Sequence, residues 1–250
     1  LGPAPQKTEP APVAAKARPA QAPVVAQAKK PVAVAPIAPI APAAPVGDPE
    51  VERVVTAMQK AYEQTKDFSA TFTQRYTYTL LRRTQESRGK VLFKKPGLMR
   101  WDYAEPNAKA FVVDGKSLWV YQPEDKTALV DRCFKQDGLT ASVAFLWGAG
   151  DIRKQFNVKR FGGVFGEKTD DHLELTPKAK NNVFAKLILV LDPKTARVKQ
   201  SIVVDAQGNV NQFIYDDVKF NSKVGQKPFE FVAPKGVHVS PIPGSCAKGG

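Results

Sequence analysis

The sequence has little to do chemistry with. Its 250 residues hold two cysteines and two histidines. Neither Cys133 nor Cys246 belongs to a C-x-x-C pair, and neither has an evident catalytic partner. His172, in "TDDHLEL", and His238 lack companions at metal-ligand spacing. There is no phosphate-binding G-x-x-x-x-G-K-S/T, no G-x-S-x-G and no H-E-x-x-H. "GGVFG" (162–166) lacks the dinucleotide spacing and reads as a turn, and "DAQGN" (205–209) is too short for a calcium loop and reads as a hairpin. No catalytic residue, metal ligand or cofactor is assigned, and a non-enzyme is expected. No apolar run reaches 18 residues, which argues against a spanning helix. No signal peptide is visible, and the start at Leu1 is what a processed or trimmed form would show. Whether Cys133 and Cys246 pair stays open.

Residues 1–47 lack aromatics and carry proline every few positions. Such a stretch can neither propagate a helix nor join a ladder, so an extended, disordered Ala/Pro-rich linker is expected. The net charge of +13 raises nucleic acid as a partner. Phe72, Tyr76, Trp101, Trp119 and Tyr121 stand on strands beside basic residues, as on single-strand platforms. They mix with Val, Leu and Met, however, which is a core pattern, and the bases are scattered. The expectation is a solvated basic surface with some preference for acidic surfaces, membrane headgroups included, and no nucleic acid.

Asp48-Pro49-Glu50 reads as an N-cap, a proline at the first helical position and an acid in the first turn. Val51, Val54, Val55, Met58, Ala61 and Tyr62 then recur with helical spacing. From Phe68 the period becomes 2. Phe68, Ala70, Phe72, Tyr76, Tyr78 and Leu80 share one strand face, and hydroxyls and Arg75 take the other. In "GLMRWDY" (97–103), Met99, Trp101 and Tyr103 alternate with Leu98, Arg100 and Asp102. "AKAFVVDGKSLWVYQP" is a hairpin about Asp114-Gly115. "GLTASVAFLWGAGDIRKQF" (138–156) holds one short helix broken by glycines and room for a second from Asp151. Further strands follow, ending with "PFEFVAPKGVHVS". About ten or eleven strands and two or three helices, never alternating, give a mainly β (α+β) antiparallel sheet that must curl and be covered.

Residues 89–130 carry Lys95-Pro96, Arg100-Trp101-Asp102-Tyr103, Pro106 and the run Asp114 to Pro123 (D-G-x-x-L-W-x-Y-x-P). With "DFSATFTQ" (67–74) before them and "FEFVAPKGVHV" (229–239) after, the series resembles the LolA family of periplasmic lipoprotein carriers over about 48–240. The resemblance implies an unclosed antiparallel half-barrel with a helical lid over a hydrophobic cavity. It implies a domain over 48–240; the end "GSCAKGG" reads as a flexible tail over 241–250 and, like the linker, lies outside the family pattern. Its cargo would be acylated outer-membrane lipoproteins, collected from an inner-membrane lipoprotein-releasing ABC transporter complex. The handover would be to an outer-membrane acceptor lipoprotein where one exists. A periplasmic monomer without cofactor is expected. Met99, Trp101, Tyr103, Trp119 and Tyr121 are the expected cavity wall on the sheet, although parity leaves the last two on either face. Val54, Met58 and Tyr62, with Ala61, are expected on the lid, joined by Phe145, Leu146 and Trp147 from the second helical region. One departure stands out: the residue before the motif proline, commonly Arg in the family and a latch to the lid backbone, is Lys95 here. The rival reading is a lipid- or envelope-stress-sensing module on a related half-barrel, or a carrier of another lipid.

Overall fold

The structure, a computed structural model, describes residues 48–104, 107–134, 151–179 and 184–245. Helix α1 (Pro49–Glu63) starts as its sequence dictates: the Asp48 carboxylate accepts from the Glu50 N–H at 2.9 Å, and Pro49 sits in the first turn. Its stripe of Val51, Val54, Val55, Met58 and Tyr62 is buried.

Twelve strands form one sheet. They are β1 (Asp67–Tyr78), β2 (Arg83–Lys94), β3 (Leu98–Tyr103), β4 (Lys109–Asp114), β5 (Leu118–Gln122), β6 (Thr127–Asp131), β7 (Phe156–Arg160), β8 (Asp171–Pro177), β9 (Lys186–Leu191), β10 (Val198–Val204), β11 (Val210–Phe220) and β12 (His238–Pro241). The order is β12-β6-β5-β4-β3-β2-β1-β11-β10-β9-β8-β7, so the sheet does not close on itself. Every pair is antiparallel except β12 with β6. Of the second helical region only Asp151 onward is described; Asp151 caps the four-residue helix α2 (Ile152–Gln155). Phe145, Leu146 and Trp147 lie outside the described residues.

One sheet face holds the main core, and α1 packs into it. Val51, Val54, Val55, Met58 and Tyr62 join Phe68, Phe72, Phe93, Met99, Trp101, Phe111, Leu118, Leu187, Leu189 and Phe213 in a single buried cluster. Register shifts in β1 (between Ser69 and Thr71) and in β10 (between Val198 and Gln200) add the local bend a wrapped sheet needs. Gly89 of β2 lies between Phe72 of β1 and Tyr103 of β3. A Cβ there would stand 2.0 Å from the Asp102 carbonyl oxygen and 2.7 Å from Phe72 Cζ. The glycine lets the Phe72 ring lie against the backbone.

Two parts differ from the sequence expectation. Strand β1 ends at Tyr78, so Leu80 is in the turn rather than on the apolar face. The run from Phe229 is not a strand until His238. Lys227–Phe229 is a 3-10 turn, and the following segment crosses the outer face. Pro228 and Pro234 lack the N–H a ladder requires. Beyond Pro241, Ile242 donates its N–H to Val130 O at 2.9 Å, which continues the contact with β6. Cys133, just after β6, is disulfide-bonded; the only other cysteine in the sequence is Cys246, outside the described residues.

Replacing Gly89 by Ala forces a backbone or ring shift in a packed region. The expected loss is about 1–3 kcal/mol, read as a lower Tm by roughly 2–4 °C per kcal/mol. An unchanged melting curve would show that Phe72 does not need this approach.

Candidate functional site

The inner face of β3 carries Met99, Trp101 and Tyr103, all at 5% exposure or less. The alternation in "GLMRWDY" therefore places all three as expected. Val54, Met58 and Tyr62 of α1 belong to the same buried cluster. Phe72 is the hub. Its ring lies 4.9 Å from Trp101, 4.9 Å from Tyr103 and 5.8 Å from Phe213, while Trp101 and Phe213 are 5.1 Å apart. Two buried polar atoms of this face, Trp101 Nε1 and Tyr103 Oη, have no hydrogen-bond partner among the described residues.

Trp119 and Tyr121 belong to the other face. In the ladder Phe111 opposes Val120 and Val113 opposes Leu118, so Leu118 and Val120 look inward. Trp119 pairs with Val112 and stacks 5.2 Å from Phe231; Tyr121 stacks 5.4 Å from the same ring. They are the seat of the C-terminal segment, not the wall under α1. Phe229, buried in that segment, and Arg100, whose Nη1 donates to Pro228 O at 2.9 Å, fasten it to the outer face.

Sequence reasoning missed several inner residues. Phe213 and Tyr215 of β11 could have been found by their period of 2 in "VNQFIYDD". Leu187, Leu189 and Leu191 sit in a continuous apolar run with no alternation to read. Lys109 could not have been found without the register that sets it opposite Tyr103. Its Nζ lies 4.7 Å from the Tyr103 ring centre and 5.8 Å from that of Phe111. Burial pushes its pKa down to about 8. The same desolvation raises Tyr62 to about 12 and Tyr103 well above its ordinary value, so both phenols stay neutral.

Helix α1 is tied down unevenly. At its C-terminal end Lys95 Nζ, just beyond β2, donates to the carbonyls of Tyr62 (2.7 Å) and Glu63 (3.2 Å). Arg197 Nη1 donates to Thr65 Oγ1 at 2.9 Å, and the Val198 N–H donates to Tyr62 Oη at 3.2 Å. Asn221 accepts from Lys66 N at 2.7 Å and donates to Gln64 O. Earlier in the helix the polar ties run through side chains at the surface. Arg153 of α2 reaches Glu52 (2.8 Å), Thr56 (2.7 Å) and Gln59 (3.0 Å), and Arg53 lies 3.7 Å from Asp171. Exposed pairs of this kind are each worth about 0–1 kcal/mol. His172 is not grouped with other ligands: its Nε2 donates to Phe165 O at 2.7 Å.

Sheet and helix together define an open half-barrel with an apolar interior under an amphipathic helix. Residues 63–232 match the family described as outer membrane lipoprotein carrier protein LolA, and the chain belongs to that family. The match begins at the last residue of α1. The outer-membrane lipoprotein carrier protein of Nitrosomonas europaea is 30% identical over 173 residues, 68% of this chain and 82% of its own length. That of Cupriavidus pinatubonensis is 30% identical over 198 residues, 74% of this chain and 89% of its own. Among solved structures, an uncharacterized conserved protein from Thermus thermophilus superposes with a TM-score of 0.50 at 13% identity, covering 77% of this chain and 99% of that one. At that identity the likeness is one of fold alone.

Lys109 gives the site a pH signature. Its folded-state pKa, about 8, lies below the ordinary 10.5. The unfolded chain therefore holds more protons between these values, and stability rises as pH climbs through that window. Lys109→Met is expected to flatten that rise in stability between pH 7 and pH 10. Denaturant titration at both pH values measures it, and a pH-independent difference would contradict it.

Proposed function

We propose that this chain is a periplasmic carrier that takes the acyl chains of outer-membrane lipoproteins between α1 and the inner face of the sheet. The observation that carries the reading is the buried aromatic and aliphatic face of a LolA-family half-barrel, closed by one helix fastened mainly at one end. The disulfide at Cys133 supports an oxidising compartment. Loading at an inner-membrane ABC transporter complex and delivery to an outer-membrane acceptor belong to the same proposal.

The energetics of the task suit this interior. One long acyl chain exposed to water costs roughly 10 kcal/mol, at about 0.8 kcal/mol per CH₂. A soluble shuttle must replace that exposure with apolar surroundings and still release. Here the wall residues pack on one another, so an entering chain must first part Val54, Met58 and Tyr62 from Met99, Trp101 and Tyr103. The packing given up between helix and sheet is restored against the acyl chain, which keeps net affinity below that of an open greasy pocket. Trp101 Nε1 and Tyr103 Oη supply donors for an ester or amide carbonyl at the head of the cargo. Lys95 is the latch: its bonds to Tyr62 O and Glu63 O favour the closed form.

Adding the purified protein to spheroplasts should release newly made acylated lipoprotein into the supernatant as a one-to-one complex. No release, with the chain folded and a known carrier active alongside, would overturn the carrier reading. Lys95→Met should weaken closure by roughly 1 kcal/mol, so a fluorescent fatty acid should bind about fivefold tighter and enter faster. Lys95→Arg should return both quantities toward the parent. Unaltered binding in Lys95→Met would remove the latch from the account.

A further inference from the structure

Most exposed apolar side chains of this protein stand singly, as Val164 and Val232 do, and need no explanation. The β1–β2 turn is different. Leu80 and Leu81 occupy its two central positions, 92% and 69% exposed. The Arg82 N–H donates to Thr79 O at 3.2 Å and closes the turn, with Arg82 at φ 48. The left-handed place that favours Gly or Asn is Arg82; at Leu80 and Leu81 the backbone is ordinary, and what is unusual is the exposure of two adjacent leucines. Neither leucine packs against the core cluster, so folding does not account for them.

The turn also projects. The pairing of β2 with β3 begins only at Gly89, and Arg83–Ser87 pair with β1 alone among the described residues. The hairpin therefore overhangs β3 by roughly 17 Å. On the other side the β10–β11 turn reaches the first residue of the tip, through Thr79 Oγ1 to Gly208 O (2.6 Å) and Thr79 N to Asn209 Oδ1 (3.1 Å), so the tip stands free on the β3 side only. The charge along it has one sign. Glu86 is held between Arg75 (3.2 Å) and Arg88 (2.9 Å), and the Asp205 carboxylate is occupied by its own turn. Arg82 and Arg83 have no acidic partner among the described residues.

We propose that this hairpin tip is a membrane wedge: Leu80 and Leu81 enter the acyl region of an anionic phospholipid bilayer while Arg82 and Arg83 bind its phosphates. Two leucines outermost with two guanidiniums at the neck reproduce the order met on entering a bilayer from its core outward. Guanidinium forks match phosphate oxygens, and two leucines alone give a shallow, reversible hold. The inference goes beyond the carrier reading and does not rest on it, because neither leucine belongs to the buried cluster of the proposed cargo site.

The test is flotation of the full chain, cargo-free, with vesicles of phosphatidylcholine and with vesicles of equal parts phosphatidylcholine and phosphatidylglycerol. The parent should float with the anionic vesicles. Leu80→Ser/Leu81→Ser should lower partitioning about tenfold or more. Arg82→Ser/Arg83→Ser should erase the preference for phosphatidylglycerol and flatten the salt dependence. Both variants should keep the parent's Tm, since the tip supports no core contact. A parent that stays in solution with both vesicle types overturns the proposal. So does a leucine variant that floats like the parent, because binding would then come from charge elsewhere, such as the lysines of residues 1–47. Lipoprotein release from spheroplasts is read separately, so the loss of either property leaves the other standing.

Discussion

The contact between the apolar stripe of α1 and the inner face of the sheet is the interaction on which the rest depends. A sheet of twelve strands that does not close on itself has an inner face that strands alone do not bury. The helix supplies the missing layer. Val55 and Met58 of this fifteen-residue helix and Phe93, Trp101 and Leu118 of the sheet share one cluster, all at 2% exposure or less. This contact is non-directional and apolar, so another apolar body can stand in for either partner at little net cost. The hydrogen bonds at the C-terminal end of α1 have no such substitute. They name particular carbonyls, those of Tyr62 and Glu63, and particular donors. The helix is thus held by non-directional contact along its apolar stripe and by specified hydrogen bonds at its end.

The outer face is solved by different means. Leu98, Val112, Ala128 and Val130 are buried there, and the chain from Lys227 onward lies over this face. Phe229 is buried, and Phe231 stacks on Trp119 and Tyr121. The short parallel strand β12 then pairs with β6, which would otherwise be the sheet's edge. An edge strand of four residues ending in Pro241 offers little to a second sheet. At the other edge β7 is five residues long and carries Lys159 and Arg160. Both ends of the open sheet are short, and that limits edge-to-edge association.

How far the sequence could be read follows from the length scale of each signal. The α1 stripe and the Met99/Trp101/Tyr103 face are set within a few residues by periods of 3.6 and 2, and both stand as read. Trp119 and Tyr121 needed the register between β4 and β5. The run Ala110–Val113 is apolar on both faces, so it gave no parity to pass along. Leu80 continued the alternation of β1, but the turn closes one residue earlier, and Arg82 in a left-handed conformation is not a signal that composition announces. Lys109 reads as a surface lysine until β3 and β4 are aligned. Local periodicity therefore found the cover and one wall, while the residues fixed by pairing between strands were legible only in the fold.

The β1–β2 hairpin links three features that the sequence presents as unrelated. Its open end, Asp67 and Lys94, adjoins Lys95 and the fastened end of α1. Its middle, Phe72 beside Gly89, is the hub of the aromatic wall. Its closed end carries Leu80 and Leu81. Eleven residue steps separate Asp67 from Tyr78, a span of roughly 36 Å. The fastened end of α1 and the exposed leucines therefore lie at opposite ends of the same two strands, and a surface met by one does not bury the other. Twelve consecutive paired positions make that arm stiff, and at Gly89 a ring lies on bare backbone in place of a side chain. The stiffness comes from the ladder and the adaptability from the side chains that stand on it. A carrier interior that must admit and release a flexible chain requires that combination.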